Sequence, residues 1–495
     1  MIWIFRIALI FALSVISLHG QVVDSLIVDV KLFGLGGEGM SDILSVGEHG
    51  VILYGSEANP QNGISGVFTT KKFVIQHYDT SFRLTESSIE LPFRILRSKP
   101  YVKDNHVYFL VFPQMTTGKK AALLNYDLIG KTTTSTILYG EWQIPNNIEF
   151  IVTESFLYIT YQKEIPVTSS SPDFNRPNAT GGYHQNVNVT GTYFTPFVGI
   201  YDLRGKKVTS LKNIPEKIPG YFLQNVSLIS SRNVSDTVFI QFDYVTSKKK
   251  DDSVLKLCTK LAGYTNGNQI FNVVVDSSRF TFDNPYIAKC GERIGFFEFN
   301  RVDFESGVRY SYVASDKFYG SVPRQSAPDC YSVLSNCTMV HFNRYDSQSQ
   351  VTDSTLHIRK YVNNNLVLDS VLSCFENGDV SAKPWANFIL MHQYQDGSLC
   401  FVVSSWQILC SYDISPTNQI SKRYDMHLPV HLKTGIQIVS DTLSPLERQM
   451  EVANRVDLNS TLMMQDGYRD FYYVYSLRTS ADRKSLSLKL YKCRY

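Results

Sequence analysis

The sequence predicts an all-β fold, a single closed β-propeller of eight four-stranded blades, with seven as the alternative count. Three observations lead there. The first is a recurring turn: Tyr201-Asp202-Leu203-Arg204-Gly205-Lys206 matches Tyr126-Asp127-Leu128-Ile129-Gly130-Lys131, and a shorter form returns at Tyr78-Asp79 and Tyr412-Asp413. Each long copy follows an apolar run and precedes a Thr/Ser/Val-rich run, so it reads as strand, turn, strand, with Gly supplying the positive φ. The second is spacing. Taking Tyr78, Tyr126, Tyr201, Cys258, Tyr312, Tyr361, Tyr412 and Tyr491 as register marks, the steps are 48, 75, 57, 54, 49, 51 and 79 residues. The third is composition: 30 Tyr and 30 Phe among 495 residues, with 19% charged, favour pleated and half-buried strands.

Upstream of each mark lies a hairpin. The pairs begin Ile43 and Val51, Tyr101 and Val107, Ile148 and Phe156, Val226 and Val238, Tyr286 and Ile294, Tyr331 and Met339, Phe388 and Leu399, and Leu462 and Phe471. Each unit is therefore two strands before the mark, one carrying it, and one after the turn. Four short strands every ~40–50 residues is the pattern of a propeller blade, whereas an immunoglobulin-type array needs ~100 residues per unit. The two long steps hold insertions at 163–196 and 430–458, and residues 443–456 read as one short helix. The last unit lacks a fourth strand, and the strand-like run 25–33 is unassigned. Pairing of that run with 486–493 closes the ring and leaves no open edge.

Residues 1–20 read as a secretory signal. Arg6 precedes an apolar run from Ile7 to Leu18, shorter than the ~20 residues that span a bilayer. The remainder, 21–495, is the propeller domain. No later run reaches spanning length and the chain ends in Tyr-Lys-Cys-Arg-Tyr, so no stable membrane anchor is expected. An exported chain makes the Asn-x-Ser/Thr triplets at Asn178, Asn188, Asn225, Asn233, Asn336 and Asn459 candidate glycan acceptors. By the alternation of strands, Asn178, Asn188, Asn225 and Asn459 fall on the top face, and Asn233 and Asn336 on the opposite one. The net charge of +3 is small and argues against nucleic acid as a partner.

All eight cysteines lie from Cys258 onward. Cys400 and Cys410 sit on neighbouring strands about Ser405 and are read as a cross-strand disulfide. Cys330 and Cys337 flank one hairpin and are a further candidate pair. No Cys-x-x-Cys and no Cys/His cluster has ligand spacing, so no metal site or cofactor is expected. His427 and His431 have helical spacing but Pro429 lies between them, which makes them loop residues.

Catalytic motifs are missing: there is no Gly-x-Ser-x-Gly, phosphate loop, His-Glu-x-x-His or Ser-x-Asp-x-Gly-x-x-Trp box. The channel mouth is where a propeller would place a ligand, and the strand starts put Asp42, Asp283, Asp329 and Asp457 on that rim as candidate carboxylates for acid–base work. The leading functional expectation is a secreted glycoprotein that binds an extracellular protein through its loops or faces, which leaves the enzyme question open while leaning against catalysis. The alternatives are a glycan-active hydrolase or lyase using the rim carboxylates, and a structural matrix component.

Overall fold

The computed structural model describes residues 22–30, 42–57, 72–85, 89–91, 93–95, 98–113, 121–138, 146–166, 192–208, 218–219, 221–232, 237–246, 257–276, 286–290, 293–302, 305–314, 317–319, 330–333, 338–343, 355–362, 365–373, 388–405, 408–427, 463–467, 470–479 and 486–495. These residues are all-β, with a single 3-10 turn at Gly47–His49 among them. None of their helices is long and apolar enough to cross a membrane.

The strands fall into consecutive antiparallel units. After β1 (Val22–Val30), the first unit is β2 (Asp42–Ser45), β3 (Val51–Glu57), β4 (Lys72–Tyr78) and β5 (Ile89–Leu91). The second is β6 (Phe93–Ile95), β7 (Tyr101–Lys103), β8 (His106–Pro113), β9 (Ala121–Asp127) and β10 (Thr133–Leu138), with β6 and β7 sharing the edge of β8. The third is β11 (Asn146–Val152), β12 (Phe156–Pro166) and β13 (Thr192–Asp202), and a bridge from Tyr201 to Lys207 stands where its fourth strand would begin. The fourth comprises β14 (Tyr221–Arg232), β15 (Thr237–Thr246), β16 (Leu257–Thr265) and β17 (Asn268–Asp276). The fifth comprises β18 (Tyr286–Cys290), β19 (Arg293–Val302), β20 (Glu305–Ala314) and β21 (Lys317–Tyr319). The sixth runs β22 (Cys330–Val333), β23 (Met339–Asn343), β24 (Thr355–Val362) and β25 (Asn365–Ser373). The seventh runs β26 (Phe388–Gln393), β27 (Leu399–Ser405), β28 (Ile408–Ile414) and β29 (Ile420–His427). The last is β30 (Met463–Asp466), β31 (Phe471–Thr479) and β32 (Leu486–Arg494).

β1 supplies the last unit's fourth strand. It lies antiparallel to β32, with Leu26 opposite Leu490 and Val28 opposite Leu488, so the two chain ends meet in one sheet. The fourth and fifth units are fused into one eight-stranded sheet by a short parallel pairing of their first strands, Ser230–Arg232 against Tyr286–Ala288.

The second strands explain why the sheets stack. β8 is apolar almost throughout. Val107, Phe109 and Val111 pack on the first unit, while Leu110 and Tyr108 face the third. A strand buried on both faces reads as a continuous apolar run rather than an alternation. Outer strands do alternate or turn polar: β10 is Thr-Thr-Ser-Thr-Ile-Leu, with Ile137 46% exposed. Apolar clusters join the last unit to the first, the first to the second, the second to the third, the third to the fourth, the sixth to the seventh and the seventh to the last.

The Tyr-Asp stretches cap the third-to-fourth turns. Asp79 Oδ1 accepts from the amides of Ser81 (2.8 Å) and Arg83 (2.9 Å). Asp202 Oδ1 accepts likewise from Arg204 (3.0 Å) and Lys206 (2.8 Å). Asp127 Oδ1 accepts from Ile129 (2.9 Å) and Gly130 (3.0 Å), and these bonds hold its carboxyl below the usual carboxylate range. The expectation that Gly takes the positive φ holds at Gly205 (φ 85°), where a Cβ would also collide with the Ile137 carbonyl. It fails in the other long copy. That turn is one residue longer, so Lys131 (φ 53°) takes the left-handed position and Gly130 does not; in the first unit Phe82 does (φ 57°).

The insertion read at 163–196 does not begin at 163. β12 and β13 stay paired out to Pro166 and Thr192, so the hairpin continues into it. The remainder of that insertion, the 430–458 insertion and the 443–456 helix lie outside the described residues, as do residues 1–20.

One seam carries a titratable link. His77 is buried between the first and second units, 4% exposed. Its Nε2–H donates to the His49 carbonyl oxygen (2.8 Å), so Nδ1 accepts from the Tyr126 hydroxyl (3.0 Å). His49 Nε2 donates in turn to Asn105 Oδ1 (2.9 Å). Burial lowers the His77 pKa, Lys131 and His49 lower it further, and the His49 carbonyl bond and Asp79 oppose them. A folded pKa below the unfolded one means the unfolded chain binds the proton more readily. The contribution is therefore complete above about 6.5 and is lost as pH falls toward the lowered value. The thermal midpoint is expected to drop between about pH 7 and about pH 5, and His77→Gln to flatten that drop. Equal slopes in both proteins would show that the link does not titrate.

Candidate active site

The first strands of successive units lie side by side. β30 contacts both β26 and β2, β11 contacts both β7 and β14, and β14 pairs with β18.

Glu149 faces the seam between the third and fourth units, on the same side of its strand as Ile151. It lies on β11 between Ile148 and Phe150, whose side chains pack toward the second unit. Its Oε2 accepts from the Leu228 amide of β14 (2.8 Å), which bridges the first strands of the third and fourth units. The side chain is exposed to solvent. Desolvation by the protein around it raises its pKa, against the opposing pull of the Leu228 bond, Thr160 and the Lys99 charge. Lys99 itself is exposed, just ahead of β7. The arrangement is a carboxylic acid that water reaches, with an affinity for its proton above that of a surface glutamate, beside a cation.

A second polar group sits on β14 and β15. Asp243 is 1% exposed; its Oδ1 accepts from Gln241 Nε2 (2.9 Å) and its Oδ2 from Asn225 Nδ2 (3.4 Å). Asn225 Nδ2 also donates to Ser227 Oγ (3.1 Å). Asn225, read as a candidate glycan acceptor, thus has its amide nitrogen turned onto a buried carboxylate.

Of the predicted rim carboxylates, Asp42 is at the start of β2, its backbone opposite Tyr54. Asp283, Asp329 and Asp457 lie outside the described residues, as do Asn178, Asn188, Asn233, Asn336 and Asn459, and nothing here brings the four carboxylates together. Sequence reasoning missed Glu149. The signal for it was the lone acid in Asn147-Ile-Glu-Phe-Ile-Val, out of phase with the apolar residues of a first strand. Among the described residues no three His, Cys, Asp or Glu side chains are grouped as metal ligands.

The Cys400–Cys410 disulfide is corrected. Neither is disulfide-bonded, and both are buried. Ser405 pairs with Ile408, so Cys400 stands opposite Asp413 and Cys410 opposite Val403. Three positions of offset turn the two side chains to opposite faces of the sheet. Cys410 packs toward the sixth unit and Cys400 toward the last, where its Sγ lies 3.3 Å from Ser411 Oγ. Burial raises the Cys400 thiol and pushes Cys493 to about 12, so neither is an activated nucleophile. Cys330 lies in β22 opposite Phe342, and Cys337 is outside the described residues.

No family model matches the sequence. No curated protein matches it either. Solved structures do resemble it. A polysaccharide lyase, Uly1, aligns over 95% of this chain and 99% of its own, at 10% identity and a TM-score of 0.41. The β-propeller domain of the Trilobed protease from Pyrococcus furiosus aligns over 79% of this chain and 96% of its own, at 10% identity and a TM-score of 0.34. A Trypanosoma rangeli sialidase aligns over 80% of this chain and 58% of its own, at 10% identity and a TM-score of 0.31. The structural neighbours are β-propeller proteins. The leading expectation of a protein-binding module is set aside below for its glycan-active alternative.

Proposed function

We propose that this chain is a glycan-cleaving enzyme built on a closed eight-bladed propeller, with Glu149, at the exposed edge of the seam between the third and fourth units, as the proton donor. Support for the ring comes from the eight consecutive units, the β1–β32 pairing and the contacts between neighbouring first strands. The single observation that carries the function is the Glu149 carboxyl, exposed to solvent, held by the Leu228 amide and raised in pKa. Cleavage of a glycosidic bond needs a proton delivered to the leaving oxygen, and a carboxylic acid with a raised pKa keeps its proton to higher pH than a surface glutamate. Glu149 keeps Oε2 fixed on the Leu228 amide and leaves Oε1 for a substrate oxygen. Lys99 adds a cation beside it. A nucleophile or base for the opposite side of the bond would come from the rim carboxylates Asp42, Asp283, Asp329 and Asp457.

The signal at residues 1–20 supports placing this activity outside the cell, where polysaccharides and glycoproteins are the substrates at hand. The sequons at Asn178, Asn188, Asn233, Asn336 and Asn459 fit the same route. Asn225 is expected to stay unmodified, because a glycan on Nδ2 would displace Ser227 and Asp243.

The test is a panel of neutral and acidic polysaccharides, with new reducing ends and unsaturated termini measured for the wild type and Glu149→Gln. Cleavage by the wild type, reduced about 100-fold or more in Glu149→Gln, is the expected result. Cleavage of nothing in the panel, or equal rates in both proteins, would overturn the reading.

A further inference from the structure

We propose that the seam between the second and third units binds a small oxyanion of the phosphate or sulfate class, through Lys103 and His106. The site is independent of Glu149. The β7–β8 hairpin sets Lys103 opposite His106 and Tyr101 opposite Tyr108, and β9 sets Asn125 opposite Tyr108. Residues paired across antiparallel strands share a face. Tyr101 and Tyr108 pack into the apolar cluster between the second and third units, so Lys103, His106 and Asn125 face the third unit too.

All three carry an orphan. Lys103 Nζ, His106 Nδ1 and Asn125 Oδ1 are shielded from solvent and have no hydrogen-bond partner. The third unit offers them Val152, Leu157, Tyr201 and Leu203, a largely apolar wall. Two carboxylates lie near this face: Asp127 stands opposite His106 with its Oδ1 held by the amides of Ile129 and Gly130, and Asp104 is exposed in the hairpin turn. Neither hydrogen-bonds Lys103 Nζ, and an ammonium shielded from water with no hydrogen-bond partner is a costly arrangement in a folded protein. Each unsatisfied donor or acceptor beside it adds to that cost. A water molecule would accept a hydrogen bond from Lys103 without neutralising it. An oxyanion does both. It accepts from Lys103 Nζ and from His106 Nδ1–H, and the Asn125 amide, turned about its own axis, presents Nδ2 to it.

Inorganic phosphate is the probe. Thermal unfolding of the full chain would be followed as phosphate replaces chloride at constant ionic strength, for the wild type, Lys103→Met and Lys103→Arg. The wild-type midpoint is expected to rise and saturate with phosphate, as binding to the folded state alone requires. Lys103→Met is expected to weaken the apparent phosphate affinity about tenfold or more, and Lys103→Arg, which keeps the charge, to retain a saturable rise. Absence of a phosphate-specific rise in the wild type would mean that water fills the seam and would overturn the proposal. So would an undiminished rise in Lys103→Met.

Discussion

Replacing Phe401 with alanine is expected to destabilise the fold by about 3–5 kcal/mol, the range for a fully buried aromatic truncated in a packed core. Phe401 has no exposed surface and lies in the cluster that joins the sixth and seventh units. Its ring meets Phe342 of β23 at 5.3 Å between centroids, across the seam, and stacks on Tyr412 of its own sheet at 5.2 Å. The substitution removes both contacts and leaves a void between two sheets held apart by their remaining side chains. Urea unfolding reads the effect as a lower midpoint with an unchanged slope. A loss under about 1 kcal/mol would mean that the two sheets do not close on this ring.

Removing β1 is expected to have the next largest effect. Its residues from Val22 to Val30 pair along β32, and Leu26 packs against the cluster shared by the last and first units. Without it β32 becomes a bare edge, nine residues long from Leu486 to Arg494, beside the first unit. Cross-strand pairs contribute roughly 0.2–1 kcal/mol each, so a loss of several kcal/mol is expected. A bare edge also pairs with other chains. The shortened protein is expected to melt earlier and to associate as its concentration rises, by light scattering. Unchanged melting and a clean monomer would show that the pairing does not hold the ends together.

Much of the architecture was legible because strands and turns write themselves locally. The hairpins at Ile43/Val51, Ile148/Phe156 and Phe388/Leu399 all form, and residues 25–30 of the unassigned run pair where the missing fourth strand required it. What failed depended on register. Cys400 and Cys410 lie on adjacent strands, but a three-residue offset around the turn decides their faces, and sequence distance does not reveal that offset. The Tyr412-Asp413 mark is displaced for a related reason. The capping position of that turn belongs to Ser415, whose Oγ accepts from the Gln419 amide (3.0 Å), with Asn418 at φ 63°. A short polar side chain does the work of aspartate there, and the Tyr-Asp spelling pointed two residues early.

The candidate site was less legible still. The sequence pointed to strand-start aspartates, whereas the carboxyl with the raised pKa lies one turn of the pleat further on, at Glu149. Its pKa is raised by desolvation against the pull of a backbone amide 79 residues away, at Leu228, and no local pattern encodes either. Lys103, His106 and Asn125 are of the same kind: an unremarkable turn lysine, a strand histidine and an asparagine that only sheet register gathers.

The pH dependence of glycan cleavage, in the wild type and in Glu149→Gln, tests the central claim most directly. A proton donor must hold its proton, so the wild-type rate is expected to stand at low pH and fall as pH rises through the raised Glu149 pKa. The residual rate of Glu149→Gln is expected to lack that limb. A falling limb that survives unchanged in Glu149→Gln would contradict the assignment of Glu149 as the acid.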